Sequence, residues 1–282
     1  MKLTLNVSLA GKTAVITGAG GVICGYMAKV LAAAGANVAV LDINVAAAKK
    51  VADEIAADGG TALAVGCDVL SADSLKEAHE LVMRTFGPCR ILINGAGGNN
   101  PRATTDSEGF RQCQIGHEKT FFDIDKESWK FVFDLNFTGA FLTTQEFAAD
   151  MLGEEPCNII NIASVNTFLP LTKIPAYAAA KEAVGNFTKW LATYFAETSI
   201  RVNAIAPGFL STNQTQALFY EKDGVTPTVR LNKIIAGTPM KRLGKPEELS
   251  GALLFLLDDE AASFITGAIL PVDGGYTAYS GV

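Results

Sequence analysis

The chain has 282 residues, 49% of them apolar and 18% charged, with a net charge of −6 and a pI near 5.1. Those proportions describe a folded globule with a sizeable core and exclude a disordered chain. The acidic balance, with no dense run of Lys or Arg, argues against a polyanion-binding surface, so nucleic acid is not an expected partner.

Cys24, Cys67, Cys89, Cys113 and Cys157 are odd in number and scattered, with no C-x-x-C. They suit a reducing compartment. With only His79 and His117 besides, no metal site is expected. Met1 to Lys12 has no apolar core of a secretory signal, and the apolar run Ala252 to Leu257 stops at Asp258, short of a membrane span. A cytoplasmic setting without membrane contact is expected.

Thr13 to Thr17 is a β-branched run ending at Gly18, which predicts a strand and a sharp turn. Val22 to Ala34 has helical spacing and stops at Gly35. Asn37 to Leu41 predicts a second strand, Val45 to Ala57 a helix, Thr61 to Val65 a third strand, and Ser71 to Phe86 a helix capped by Ser71. A fourth strand, Ile91 to Ile93, runs into Asn94-Gly95-Ala96-Gly97. A helix from about Lys126 to Met151 follows, then a strand ending at Ser164, a helix from about Ala176 to Glu197, and a strand over Arg201 to Ala206. A helix near Pro246 to Leu257 and a strand over Ala268 to Val272 complete the chain.

Alternating strands and helices, with strands apolar almost throughout, predict an α/β fold: one Rossmann-type domain over 1–282, with a doubly wound parallel sheet of about seven strands. Two connections, near 97–125 and 208–245, exceed ordinary loop length. Both follow strand C-termini, where open α/β sheets bind ligands, so they are expected to wall a substrate.

Tyr177 and Lys181 lie four residues apart, on one helical face. An ammonium about 4 Å from a phenol stabilises phenolate by at most roughly 4 kcal/mol, or about three pK units, at an effective dielectric near 20. The pair is thereby suited to moving a proton near neutral pH. Ser164, at the end of an apolar strand, can hold the oxygen that Tyr177 protonates. By itself this spacing is common, and a solvated Lys beside a half-buried Tyr is the competing reading.

The turn Thr17-Gly18-Ala19-Gly20-Gly21-Val22-Ile23-Cys24-Gly25 joins the first strand to its helix, where glycines admit a pyrophosphate and the helix N-terminus offers free N–H groups. Asp42, closing the second strand, is placed to accept from ribose hydroxyls and to repel a 2′-phosphate, which favours NAD over NADP. Asp68 and Val69 end the third strand, where Asp68 can meet the adenine amino group. Asn94, Ala96 and Gly97 end the fourth, where small residues leave room for a cofactor.

Taken together these features resemble the short-chain dehydrogenase/reductase family over nearly the whole chain: Thr17-Gly18 with its Gly-rich turn, Asp68, Asn94-Gly95-Ala96-Gly97, Asn136, Ser164, Tyr177-x3-Lys181, Pro207-Gly208 with Thr212, and Asp273-Gly274-Gly275. The resemblance implies Tyr177 as general acid/base, Lys181 as the group that lowers its pKa and binds the nicotinamide ribose, Ser164 polarising the carbonyl, and Asn136 supporting a water relay. Pro207, Gly208 and Thr212 are implied to border the nicotinamide. Val22 and Cys24 stand where the family pattern T-G-x3-G-x-G has its last two glycines, which puts the cofactor geometry in question.

The insert from Gly97 to Thr105, the segment Lys119 to Asp123, the run Leu171 to Tyr177 and the tail from Pro271 are similar to the D-mannonate oxidoreductase, or fructuronate reductase, branch. That branch implies NADH-dependent reduction of D-fructuronate to D-mannonate by a homotetramer. A uronate needs a cation: Arg102, flanked by Asn99 and Asn100 for the sugar hydroxyls, is the first candidate. Lys173 is second, followed by Arg111 and Lys119. Reduction of a neutral ketose or a 3-oxoacyl thioester, and a silent NAD-binding regulator, stand as alternatives.

Overall fold

In a computed structural model, residues 7–153, 155–212 and 215–281 are described; Met1–Asn6, Glu154, Asn213, Gln214 and Val282 lie outside them, so the ends of the predicted domain and two positions of its second long loop are not described. Seven strands form one wholly parallel sheet in the order β3-β2-β1-β4-β5-β6-β7. They are β1 (Thr13–Thr17), β2 (Asn37–Asp42), β3 (Thr61–Gly66), β4 (Cys89–Asn94), β5 (Cys157–Ile162), β6 (Ile200–Pro207) and β7 (Ile269–Val272). The predicted strands are all present: β1 matches its expected bounds, β2, β3, β4 and β6 run longer, and β5 and β7 are shorter.

Side chains alternate between the two sheet faces along each strand. Ile16, Val40, Ile93 and Ile160 pack on one face with Met27 and Leu31 of helix α1 (Val22–Ala33). Val15, Leu41, Leu92 and Ile159 pack on the other with Leu75 of a later helix and with Phe147. Both faces are therefore covered, as the near-continuous apolar strands require.

Local signals set the helix ends. In α2 (Val45–Ala57) the Asn44 side chain accepts from Ala47 N at 3.1 Å. In α3 (Ala72–Phe86) Ser71 accepts from Ser74 N at 3.3 Å, and Gly87 ends the helix at φ 83°. The long helix predicted over 126–151 is interrupted. It divides into α4 (Lys126–Phe133), a π-helical turn over Asp134–Thr138, α5 (Gly139–Phe147) and a 3₁₀ turn to Met151. Helix α6 (Pro175–Tyr194) opens on a proline, which tolerates the missing N–H there.

His79 of α3 ties that helix to α5 through Glu146 at 2.7 Å and to Asp150 at 3.0 Å. Burial opposes its charge, but the two carboxylates outweigh that and hold the imidazole pKa above its ordinary value. The segment after β6 carries α7 (Gln216–Phe219) and α8 (Val229–Gly237), and α9 (Ser250–Leu257) precedes β7. Strand order reverses between β1 and β4, which opens a crevice at their C-terminal ends.

Candidate active site

At that crevice Thr17 cross-links the two diverging strands. Its Oγ1 accepts from Gly95 N at 3.1 Å and from Ala96 N at 3.2 Å. Gly18 turns the chain at φ 66°, and a Cβ on it would lie 2.8 Å from the Ala96 Cα. Gly20 donates to Asp42 Oδ2 at 2.9 Å, and a Cβ there would strike that carboxylate. Asp42 Oδ1 accepts from Asn44 N at 2.8 Å. The carboxylate is thus held beside the Gly-rich turn, and each oxygen keeps lone-pair capacity for a further donor.

Helix α1 begins at Val22 after Gly21, with no side-chain cap and no acidic residue in its first turn. The first N–H groups, Val22 and Ile23 among them, therefore present the positive end of the helix dipole to this crevice. Bare glycine backbone, an uncapped helix start and a fixed carboxylate fit a dinucleotide.

The Cys24 departure does not obstruct the cradle. The thiol points inward, and a Cβ on Gly95 would overlap its sulfur, so the glycine on the β4 side supplies the room that a glycine at 24 would otherwise supply. Burial, partly opposed by Lys181, pushes the thiol pKa up to about 12, so the group packs as a small neutral side chain.

Tyr177, Lys181 and Ser164 converge as expected. Ser164 is buried, accepts from Asn166 N and Nδ2 at 3.3 and 3.2 Å, and acts on the Tyr177 phenol, lowering its pKa. Lys181 is 5% exposed, donates to Ile162 O at 2.7 Å, and sits 5.7 Å from the Tyr177 ring centroid. One expectation requires correction. Burial raises the Tyr177 pKa, and the group that pulls it back is Ser164 rather than Lys181. Burial also lowers Lys181 to about 8, weakening the charge that was expected to act on the phenol.

Asn136 occupies the π turn and is 1% exposed. Its Nδ2 donates to Gly98 O and to Val132 O, both at 2.7 Å, and its Oδ1 accepts from Gly98 N at 3.2 Å. A Cβ on Gly97 would lie 3.5 Å from Lys181 Nζ and would clash with Asn136 Oδ1. Gly97 is thus the point where Asn136 and Lys181 meet. The extra residue of a π turn rotates Asn136 to this position, which regular helical spacing does not predict.

Beneath the site runs a buried polar chain that sequence reasoning missed. Asn94 Nδ2 donates to Thr144 Oγ1 and Asn161 Oδ1, each at 2.8 Å, and Asn161 Nδ2 donates to Thr188 Oγ1 at 2.9 Å. It joins β4, β5, α5 and α6. The visible signal was an asparagine inside the apolar strand Ile159-Ile160-Asn161-Ile162.

The remaining predicted residues divide. Asp68 Oδ1 accepts from Leu70 N at 2.9 Å, and Val69 packs under Gly139. Pro207 is buried, Gly208 N donates to Val272 O at 3.0 Å, and the Thr212 hydroxyl engages Thr215 at 3.2 Å. Arg102, the first candidate for a substrate carboxylate, is 74% exposed and ion-paired with Asp125 at 3.3 Å. Asn100 is spent capping Arg102 N at 2.9 Å, Asn99 is exposed, and Lys119 is bonded to Pro101 O and Thr104. None of these three, nor Arg102, lines the cavity described next. A 3₁₀ turn over Pro101–Ala103 carries Arg102 outward, which loop composition could not reveal.

Lys173 is placed differently. It holds a left-handed φ of 72°, with its carbonyl bonded to Thr105 N at 3.0 Å. Such a conformation in a non-glycine residue costs on the order of 1–3 kcal/mol. It lines a cavity of about 340 Å3 together with Phe209 and Tyr276, which follow β6 and β7. Leu171 N donates to Asn166 Oδ1 at 3.0 Å, so this wall is linked through Asn166 to Ser164.

The family model described as enoyl-(acyl carrier protein) reductase matches residues 18–277. An uncharacterised oxidoreductase of Haemophilus influenzae is 55% identical over 283 residues, covering 100% of this chain and 99% of that one. Another of Bacillus subtilis is 51% identical over 280 residues, covering 99% and 100%. A crystal structure from Haemophilus, provisionally assigned as a D-mannonate oxidoreductase and holding NAD, superposes with a TM-score of 0.95 at 54% identity over 99% of each chain. This chain belongs to the short-chain dehydrogenase/reductase family. It is an oxidoreductase of that family. Among the described residues no helix is long and apolar enough to cross a membrane.

Proposed function

We propose that this enzyme uses NAD(H) to interconvert D-fructuronate and D-mannonate. The observation that carries the reading is Lys173: a strained cation, four residues before the acid/base tyrosine, lining a cavity linked to Ser164. Similarity to the NAD-bound Haemophilus protein supports both the cofactor and the substrate class.

When bound, NAD(H) supplies the hydride. The backbone of Gly18, Gly20, Gly21, Val22 and Ile23 would hold its pyrophosphate and Asp42 its adenosine ribose. Asp68 and Val69 would border the adenine; Asn94, Ala96 and Gly97 would leave the cofactor room, and Pro207, Gly208 and Thr212 would flank the nicotinamide. Ser164 orients the substrate oxygen, Tyr177 gives that oxygen its proton, and Lys181 and Asn136 position the nicotinamide ribose and a proton path past Gly97.

Steady-state kinetics on fructuronate, fructose and a 3-oxoacyl thioester test this reading. The expected result is turnover of fructuronate well ahead of the others, with NADH far better than NADPH, because Asp42 repels a 2′-phosphate. A tenfold preference for NADPH would remove Asp42 from the ribose site. A preference for fructose or the thioester would replace the sugar acid with that substrate class.

We also propose a homotetramer assembled through α5 and α6. Phe141, Trp190 and Tyr194 are exposed there, and Trp190 stacks on Tyr194 at 4.9 Å. Exposed aromatic patches of this kind favour protein contact. Sedimentation of the purified chain as a monomer would overturn this.

A further inference from the structure

The substrate cavity contains a second cation whose role no sequence feature announced. Its charged lining comprises Lys173, Arg230, Lys233 and Glu108. Glu108 is already neutralised: Lys233 Nζ donates to both of its oxygens at 2.9 Å, and the bond joins the insert after β4 to helix α8. That leaves the charges of Lys173 and Arg230 in excess. Neither side chain has a hydrogen-bond or ion-pair partner among the described residues. Two cations of the surrounding segments are engaged, Arg102 by Asp125 and Arg242 by Glu248. The Tyr276 hydroxyl, on the same cavity, is also without a hydrogen-bond partner, and burial raises its pKa.

The two cations come from segments distant in sequence. Lys173 precedes α6, and Arg230 lies in the first turn of α8, which contains no acidic residue. An arginine fork accepts a carboxylate through two parallel bonds, while a lysine adds a point charge. Two cations without ion-pair partners on one cavity, of which Arg230 is exposed, fit an anionic ligand better than a neutral one.

We infer that Arg230 is a specificity-determining residue, closing with Lys173 on the carboxylate of the substrate while the Tyr276 hydroxyl meets its polyol chain. This rests on the sugar-acid reading above and adds the residues that enforce it. Because Arg230 contacts the end of the substrate remote from the reacting carbonyl, its contribution is binding shared by ground and transition states.

The test compares kcat/KM for fructuronate and for fructose in the wild type, Arg230→Met and Arg230→Lys, with NADH affinity and thermal stability measured alongside. Arg230→Met is expected to lower kcat/KM for fructuronate by about tenfold or more, chiefly through KM, and to shrink the fructuronate-over-fructose ratio. Arg230→Lys recovers part of the ratio, since charge returns without the fork. If the wild type discriminates and Arg230→Met keeps the wild-type ratio, the inference is overturned and the sugar-acid reading stands. If the wild type itself fails to prefer fructuronate, the sugar-acid reading falls first and the role of Arg230 with it.

Discussion

Tyr177→Phe is expected to lower kcat for carbonyl reduction by about 10² to 10⁴ while NADH affinity is retained. In the proposed mechanism the phenol is the positioned acid. Burial holds its pKa above the ordinary phenol value, and the Ser164 hydroxyl offsets part of that rise. At neutral pH the free enzyme therefore keeps the proton on Tyr177, where reduction needs it. Oxidation runs the other way: the phenolate must accept a proton from the alcohol, so the oxidative rate is expected to climb as pH rises into the alkaline range. Removing the hydroxyl leaves Ser164 and Lys181 in place but takes away the donor they orient. Turnover of Tyr177→Phe close to wild type would show that the proton comes from another group.

Lys181→Met is expected to stabilise the protein while abolishing turnover. The ammonium is buried, and desolvation, slightly opposed by Cys24, lowers its pKa from 10.5 to about 8. Between about 8 and 10.5 the unfolded chain binds a proton that the folded chain does not, so stability rises with pH through that window. Below about 8 the cost of burying the charge is present in full. Each pK unit corresponds to about 1.36 kcal/mol. Allowing for the lost bond to Ile162 O, an apolar side chain of similar length should add about 1 to 3 kcal/mol at pH 7. Thermal unfolding of the cofactor-free protein, wild type against Lys181→Met, reads this directly. The difference should shrink as pH approaches 10. A variant less stable than wild type at pH 7 would mean that the bond to Ile162 O outweighs desolvation.

The strand–helix alternation was legible in the sequence because the strands are apolar almost throughout and some helix ends carry a local signal: Gly35 and Ser71 act within a turn of where they stand. Tyr177 with Lys181, Asp42 after β2 and the Gly-rich turn before α1 were legible for the same reason, since their chemistry depends on spacing of a few residues along one element. The chain by itself thus determined the parallel sheet, the crevice end and the placing of Tyr177 and Lys181 on one helix. Three matters needed tertiary structure. A π turn brings Asn136 to Gly97, so its position depends on one extra residue in a helix that reads as continuous. Cys24 is harmless because Gly95, on a different strand, vacates the space it fills. Lys173 and Arg230, rather than Arg102, line the cavity proposed for the substrate, because a 3₁₀ turn sends Arg102 to Asp125 while the segment before α6 and helix α8, far apart in sequence, share that cavity. Each of these rests on contacts between segments distant along the chain, and the free energy of such contacts depends on distances that local residue patterns do not encode.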